Sequence, residues 1–531
     1  MKYYRGWMVP LTVLCLTVLL ALRRPLAIDE FLHLHWASEA ARGNFAGTDY
    51  FSVHFTFLQF VFAPFFLIAS STPEVAIPWC RALMAIMLTF AVYVVSRDIS
   101  STISRKNNSD VSWLCAGAIV AGCGSLSSRL VEVRPDNVAI FFIVMACWLN
   151  SSRFRQNSGR TKLRYAVVSG LLFGLAVLSS EKTFVVLATL SVVGLFLMPL
   201  RSRPFQGRGL VVVAAAGTLV ACCAIILALM SRGEFSGLMK FGSMWVEYAR
   251  LHEKPGFWPR KSIIGEEKLL FYSLALIWFA VSIRLRKIDV WQIMVLAGFL
   301  IYAVQEAPFE YSRNWLFVFA GPLLFFSLPF GRGSGLAALV LALAGWNVFS
   351  QDIHSRQKQL DVSRVVREIS EPGDCVYDNS GGGVFRRHAH DSYASTDKMI
   401  RRQFVRQLDD EIPAAIRDRG CVIMLVDLRT LDLHGQLAAY LASHFVPVNP
   451  YMYFYSDHAL PVSGSNFAEF FAPRTGWYHF IDRPSVPPIR LNKGLNRVDG
   501  VIGPVRLMWN PGPDRWPVYP GPMDVRGFSR L

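Results

Sequence analysis

The chain has 531 residues, 53% hydrophobic, 13% aromatic and only 17% charged, a balance too apolar for a soluble globular protein; repeated bilayer-spanning helices are the expectation. The formal net charge is +16, yet Lys and Arg fall in short clusters between apolar runs rather than on one folded face, which argues against a nucleic-acid partner and marks membrane topology instead. Most of the nine cysteines sit in or beside apolar segments, where Cys behaves as a small hydrophobe.

The N-terminus places Lys2 and Arg5 before an apolar run at 7–22. This has the outline of a signal peptide, but Leu22, Arg23, Arg24 and Pro25 follow it in place of small residues, so it reads as a retained first span. A span takes about 20 apolar residues. Further spans are expected at 77–95, 111–127, 137–150, 165–180, 184–200, 209–230, 269–284, 290–304, 315–330 and 336–350. The aromatic run 55–70, with Pro64 inside it, reads as an interfacial or re-entrant helix, because counting it as a span would put Arg97, Arg105 and Lys106 outside. Eleven spans from an inside N-terminus place the C-terminal tail outside.

Between the first span and this run lies 27–54, the only long polar stretch near the N-terminus, with Asp29 and Glu30 side by side. As a helix it sets Asp29 and His33 on one face at i, i+4, and Trp36 and Ala37 extend that face. An acidic pair there is suited to hold an acceptor and take its proton. The plainer alternative is that both carboxylates open a helix, where they meet unpaired N–H groups.

On this topology the other polar residues also gather outside: Glu132, Arg134 and Asp136 in 128–136, Glu181 and Lys182 in 179–183, Arg250 and His252 in 231–267, and Glu306, Glu310 and Arg313 in 305–314. Ionisable groups at helix mouths are costly enough to mark a site, although any single one is also explained as a snorkelling or ion-paired helix end. A divalent cation would have Asp29, Glu30, Asp136 and His252 as candidate ligands, and nothing in their spacing demands one.

Asp29-Glu30, then Trp36-Ala37, Ala40 and Arg42-Gly43-Asn44, then Tyr50-Phe51 before the aromatic run, resemble the first external loop of the GT-C membrane glycosyltransferases. The likeness is to the bacterial branch related to protein O-mannosyltransferases and the lipid A aminoarabinose transferase. The resemblance implies a catalytic carboxylate in that loop, here Asp29 with Glu30 beside it, and a polyprenyl-phosphate sugar donor. It also matches Arg134-Pro135-Asp136 to an acidic residue with proline at the outer end of the third span, Lys182 to a lysine turn, and Arg313 to a basic residue opening a later span. His33, His54, Arg250 and His252 complete the expected substrate-binding set. One departure stands: Ser52-Val53-His54-Phe55 occupies the place where relatives often carry Lys-Pro or His-Pro-Pro.

From Gln351 the composition turns mixed and polar. A small α/β unit is expected over 351–446, with helices at 361–370, 398–410 and 431–443 and strands at 375–377 and 421–426; a β-rich module is expected over 447–531, with strands at 477–481 and 503–509. Cys375 and Cys421 could pair if the tail lies in an oxidising compartment, but two buried thiols are the favoured expectation, since each opens a strand-like run and no spacing demands a bridge. The expected fold is thus a polytopic α-helical membrane protein of about eleven spans, residues 1–350 with the catalytic loop at 23–76, carrying an extracytoplasmic mixed α/β and β region. The expected activity is that of an inverting glycosyltransferase at the outer face of the cytoplasmic membrane, acting on a cell-envelope acceptor among membrane lipids. A transporter or flippase of lipid-linked sugars is the alternative, and the chain lacks the internal repeat typical of one.

Overall fold

The computed structural model describes residues 2–44, 50, 57–70, 72–103, 109–122, 128–149, 159–180, 183, 217, 291, 294–295, 310–327, 334–378, 386–389, 398–426, 435–449, 451–501 and 503–512. The chain forms two compact units, one of Met1–Arg24, Ser52–Phe65 and Ala76–Asp352, the other of Pro25–Phe51, Phe66–Val75 and Ile353–Leu531. The expected spans at 184–200 and 269–284, and nearly all of 209–230 and 290–304, lie outside the described residues.

The first unit is helical. Its described helices include α1 (Lys2–Arg23), α4 (Ala76–Ile103), α5 (Ser109–Gly117) continued by a π-turn over Ala118–Gly122, α6 (Pro135–Leu149), α7 (Gly159–Ser179), α8 (Glu310–Ser327) and α9 (Ser334–Phe349). α4 is the hub, packed on α1, α5, α6 and α8. Among the described residues one helix, Pro73–Ser101, is long and apolar enough to cross a bilayer; the others are shorter apolar helices. Several are apolar on their outer faces as well. On α9, Val340, Ala344 and Val348 are buried, while Leu339, Leu343 and Trp346 form an exposed stripe at i, i+4, i+7. The run 55–70 contains α3 (Phe57–Ile68), whose 12 residues extend about 18 Å, short of the roughly 30 Å hydrocarbon core.

The second unit begins with α2 (Ile28–Ala41), and its tail folds as α10 (Ile353–Ile369), α11 (Lys398–Arg419), α12 (Gln436–His444) and ten strands. β1 (Cys375–Tyr377) lies parallel between β2 (Arg387–His388) and β3 (Ile423–Leu425), and α11 lies in the crossover that parallel neighbours require. All three residues of β1 and of β3 are buried, as strands in a covered parallel sheet are. The 10-residue β5 (Met452–Pro461) then pairs antiparallel with β3, β4 (Phe445–Asn449), β6 (Phe467–Ala472) and β10 (Val505–Asn510). β7 (Gly476–Phe480) pairs with β10 and β8 (Ile489–Leu491), and β9 (Gly494–Asp499) with β6.

Several sequence expectations change here. The 446/447 boundary falls inside β4, and the β3–β5 ladder carries one sheet through both stretches. The helix expected over 398–410 continues to Arg419 and stops at Gly420, whose φ of 72° suits a residue without Cβ; a Cβ there would come 2.7 Å from the Pro473 carbonyl oxygen. Residues 25–51 and 66–75 of the first loop group with the tail rather than with the helical unit. Cys375 and Cys421 are not free thiols but a disulfide, closing a sequence separation of 46 residues between the adjacent strands β1 and β3 with Cα atoms 4.4 Å apart. Cys375 opens β1 and Cys421 lies two residues before β3, so the parallel pairing of the two strands brings the thiols together, a placement invisible along the chain.

Candidate active site

In the second unit, α2 carries the acidic pair, and the two carboxylates differ. Glu30 is fully buried and turns back on its own helix end, accepting from the Ala27 N–H at 3.4 Å, which is the plainer role of opening a helix. Asp29, one position earlier, is half-buried. The approach to the helix is fixed by a two-way amide clamp: the Leu26 N–H donates to Gln359 Oε1 at 2.8 Å, and Gln359 Nε2 donates to the Leu26 carbonyl at 3.0 Å. Gln359 is itself buried on α10. Clamping both backbone groups of Leu26, two residues before the helix, fixes the approach to Asp29.

His33 is buried with its ring edge-on to Trp36, centroids 5.4 Å apart. Trp36 is fully buried and stacks on Tyr50 at 6.5 Å, so the aromatic residues of the loop support α2 from behind. At the other end Glu39 receives Arg42 at 2.7 Å and Asn44 at 2.5 Å, and Gly43 with φ of 85° ends the helix. The Arg-Gly-Asn of the loop motif is therefore a helix stop. His35 packs edge-on against His388 of β2 at 4.2 Å. Burial, with Arg419 and Arg42 adding to it, pushes His388 down to about 3, and Asp378 at 3.9 Å is too distant for a hydrogen bond. The folded imidazole stays neutral while the unfolded one takes a proton below about 6.5, so stability of this unit should fall as pH drops from about 6.5 toward 3. Thermal unfolding of wild type and His388→Phe across that window checks it; an identical pH slope in both would exclude His388 as the source.

In the first unit the charges of residues 129–134 converge with Arg24 just before α6. Glu132 is fully buried and takes Arg24 at 3.0 Å, Arg129 at 3.4 Å and Arg134 at a shorter distance still. Arg24 and Arg134 are buried with it. Burial by itself would raise the Glu132 carboxyl, but the guanidiniums of Arg134, Arg24 and Arg129 outweigh it and hold the group below the usual carboxylate range. Arg81, also fully buried, donates to the carbonyls of Ala21 and Arg24 at the end of α1.

Asp136 is buried in the first turn of α6, where the N-terminal dipole favours it, and accepts from Ser180 Oγ at 2.8 Å. The next residue, Asn137, donates to the carbonyls of Arg129 at 2.8 Å and Glu132 at 3.0 Å, folding the loop over itself. Asn314, which follows Arg313 in the first turns of α8, donates to Asn137 Oδ1 at 2.8 Å. Three stretches far apart in sequence, 129–137, 180 and 314, are thus joined by side-chain hydrogen bonds. His54, Lys182, Arg250 and His252 lie outside the described residues, and Arg313 is described only as a backbone position.

Sequence reasoning named Arg134 and Asp136 but missed Arg24, Arg129 and Gln359 as partners, and left Glu132 without a role. Arg24 did leave a signal: Arg23 and Arg24 directly follow the apolar run 7–22, on the side where the expected topology leaves few basic residues, and burial against Glu132 accounts for Arg24. Among the described residues no group of three or more His, Cys, Asp or Glu is arranged to hold a metal ion.

No protein-family model and no curated protein matches the chain. Solved structures do. ArnT from Cupriavidus metallidurans in the apo state is similar at a TM-score of 0.53 and 12% identity, over 85% of this chain and 98% of that one. The same enzyme bound to undecaprenyl phosphate gives 0.43 and 14%, over 77% and 74%. The archaeal oligosaccharyltransferase AglB from Archaeoglobus fulgidus, in complex with an inhibitory peptide and a dolichol-phosphate, gives 0.45 and 12%, over 85% and 74%. The likeness to apo ArnT, spanning nearly the whole of that enzyme, shows that this chain shares its fold.

Proposed function

We propose that this chain, having the GT-C fold, is an inverting glycosyltransferase of the cytoplasmic membrane that moves a sugar from a polyprenyl-phosphate donor to a cell-envelope acceptor at the external face. The observation that carries the reading is the cluster at the start of α6, where Arg24, Arg129 and Arg134 converge on the single carboxylate of Glu132. Such a surplus of guanidinium beside a helix N-terminus suits an anionic phosphate, since arginine forks match its oxygens in pairs. In transfer, an acceptor oxygen attacks the anomeric carbon, the bond from that carbon to the phosphate oxygen breaks, and polyprenyl phosphate leaves as an anion of low basicity. No strong general acid is needed, only cations that stabilise the developing charge. Asp29 is the base that takes the acceptor proton, and Glu30 supports it by capping the helix rather than by chemistry.

The exposed apolar stripe on α9 supports lipid contact, and the Cys375–Cys421 disulfide supports an oxidising, extracytoplasmic location for the tail. Cysteine labelling from outside tests the orientation: Ser485→Cys, at an exposed site in the tail, should react, and Asn157→Cys should not. Labelling of position 157 alone would reverse the assignment.

Sugar transfer from synthetic polyprenyl-phosphate sugars by the purified protein is the direct test. No transfer from any such donor, alongside measurable lipid translocation, would make the chain a flippase instead. For the donor phosphate, Arg313→Ala should weaken glycolipid binding more than Arg313→Lys, which keeps the charge but loses the fork. Equal affinity in Arg313→Ala and wild type would remove that residue from the site.

A further inference from the structure

Apart from the Glu132 cluster, the helical unit contains a second recess that sugar transfer does not use. A cavity of about 410 Å³ is lined by Trp7 of α1, Tyr93 and Arg97 of α4, Ser109 and Trp113 of α5, and Trp148 of α6, among others. Phe90, Tyr93, Val94 and Arg97 all line it and recur at i, i+3, i+4, i+7, so one stripe of α4 forms its floor. The wall is already built: Tyr93 stacks on Trp113 with centroids 4.1 Å apart and planes at 16°, and its hydroxyl lies 3.2 Å from Ser109 Oγ.

Among the described residues the cation in this recess has no counter-charge. Arg97 makes no ion pair among the described residues, and its Nε is buried without a hydrogen-bond partner. The adjacent acid, Asp98, is committed elsewhere, accepting from Trp291 Nε1 at 2.7 Å. A buried donor without an acceptor is a costly arrangement unless something fills it. What fits must offer an anion to Arg97, an acceptor to the Tyr93–Ser109 hydroxyl pair and an apolar body to three indoles. Beside the mouth, α1 continues outward with Trp7, Met8 and Leu11 exposed. A soluble anion would use the guanidinium and leave the indoles idle; an anionic lipid uses both. Tryptophans with a basic residue are also what a protein places at the level of the headgroups.

We propose that this recess holds the headgroup phosphate of an anionic glycerophospholipid from the cytoplasmic leaflet, with its acyl chains along the exposed face of α1. The leaflet follows from the orientation proposed above, on which the N-terminus and Arg97 face inside; the binding itself does not depend on the transfer chemistry. Full-length protein is reconstituted in lipid discs of phosphatidylcholine with phosphatidylglycerol, and the lipids retained on release are identified by native mass spectrometry. Wild type should keep phosphatidylglycerol, Arg97→Lys should keep part of it, and Arg97→Ala should lose it by about tenfold or more, as expected for one charge-assisted contact. Ser109→Ala and Trp113→Leu provide milder second variants if Arg97→Ala does not fold, each expected to retain less than wild type.

In parallel, short-chain phosphatidylglycerol should raise the unfolding temperature of wild type, whereas short-chain phosphatidylcholine and inorganic phosphate should not. Equal retention in all variants, an equal rise with phosphatidylcholine, or an equal rise with inorganic phosphate would each overturn the proposal; the last would leave a site for a free anion. Sugar transfer is scored separately. A protein that retains phosphatidylglycerol as expected but transfers no sugar sinks the transferase reading and leaves this one standing.

Discussion

Asp29→Asn is expected to lower the turnover of sugar transfer by roughly 10²-fold or more, equivalent to about 2.7 kcal/mol of barrier, while donor binding and folding survive. The amide keeps the shape and most hydrogen-bonding capacity of the carboxylate but cannot accept the acceptor's proton. Glu30→Gln makes the contrast. Its carboxylate is fully buried against the Ala27 N–H, so its replacement should show mainly in stability, by about 0.5–2 kcal/mol as for other helix-start contacts. The pair of assays, transfer and lipid binding on the same preparations, separates the two roles. Normal turnover in Asp29→Asn would end the base assignment, and a turnover defect confined to Glu30→Gln would move the chemistry one residue along the helix.

Glu132→Gln should be the most destabilising single substitution in the helical unit, by about 3–5 kcal/mol, because it removes one partner from a buried ionic cluster and leaves the rest. Arg24 and Arg134 are buried beside it, and no water shell is at hand to replace the carboxylate. Arg129 offers an internal control. Its side chain is 20% exposed and lies farther from the carboxylate, so Arg129→Gln should cost much less. Thermal unfolding in a fixed detergent or lipid disc measures both. A Glu132→Gln protein as stable as wild type would show that the arginines hold one another apart without it. Donor affinity measured on the same variant reports on the phosphate reading: a looser loop should bind the donor less well even at temperatures where the protein stays folded.

The parts of this molecule legible in the sequence are those written locally. Helical apolar runs marked the places of α1, α4, α6, α7, α8 and α9, though α4 runs on to Ile103 and α7 starts at Gly159, well beyond the apolar stretches, because an apolar stretch declares itself over a window of about 20 residues while its polar ends do not. The same holds for β1, β3, β7 and β10, where short apolar runs are bounded by Gly, Pro and Asp. The acidic pair on α2 was likewise visible as a helix start, though not which carboxylate would turn inward. The fold decided that: Glu30 is fully buried and accepts from the Ala27 N–H, while Asp29 stays half-buried.

It also decided everything that joins distant stretches. Arg24 meets Glu132, Ser180 meets Asp136, Asn314 meets Asn137, and Gln359 clamps Leu26 across 333 residues, none of which leaves a periodic mark along the chain. The same is true of Cys375 and Cys421, brought together by the parallel pairing of β1 with β3, and of the residues 25–51 that group with the tail. Local sequence sets which elements form, because their hydrogen bonds and buried faces close within a few residues. Which buried charge finds which partner depends on how those elements pack, since the cost of an unpaired buried charge is met only by whatever side chain the fold delivers to it.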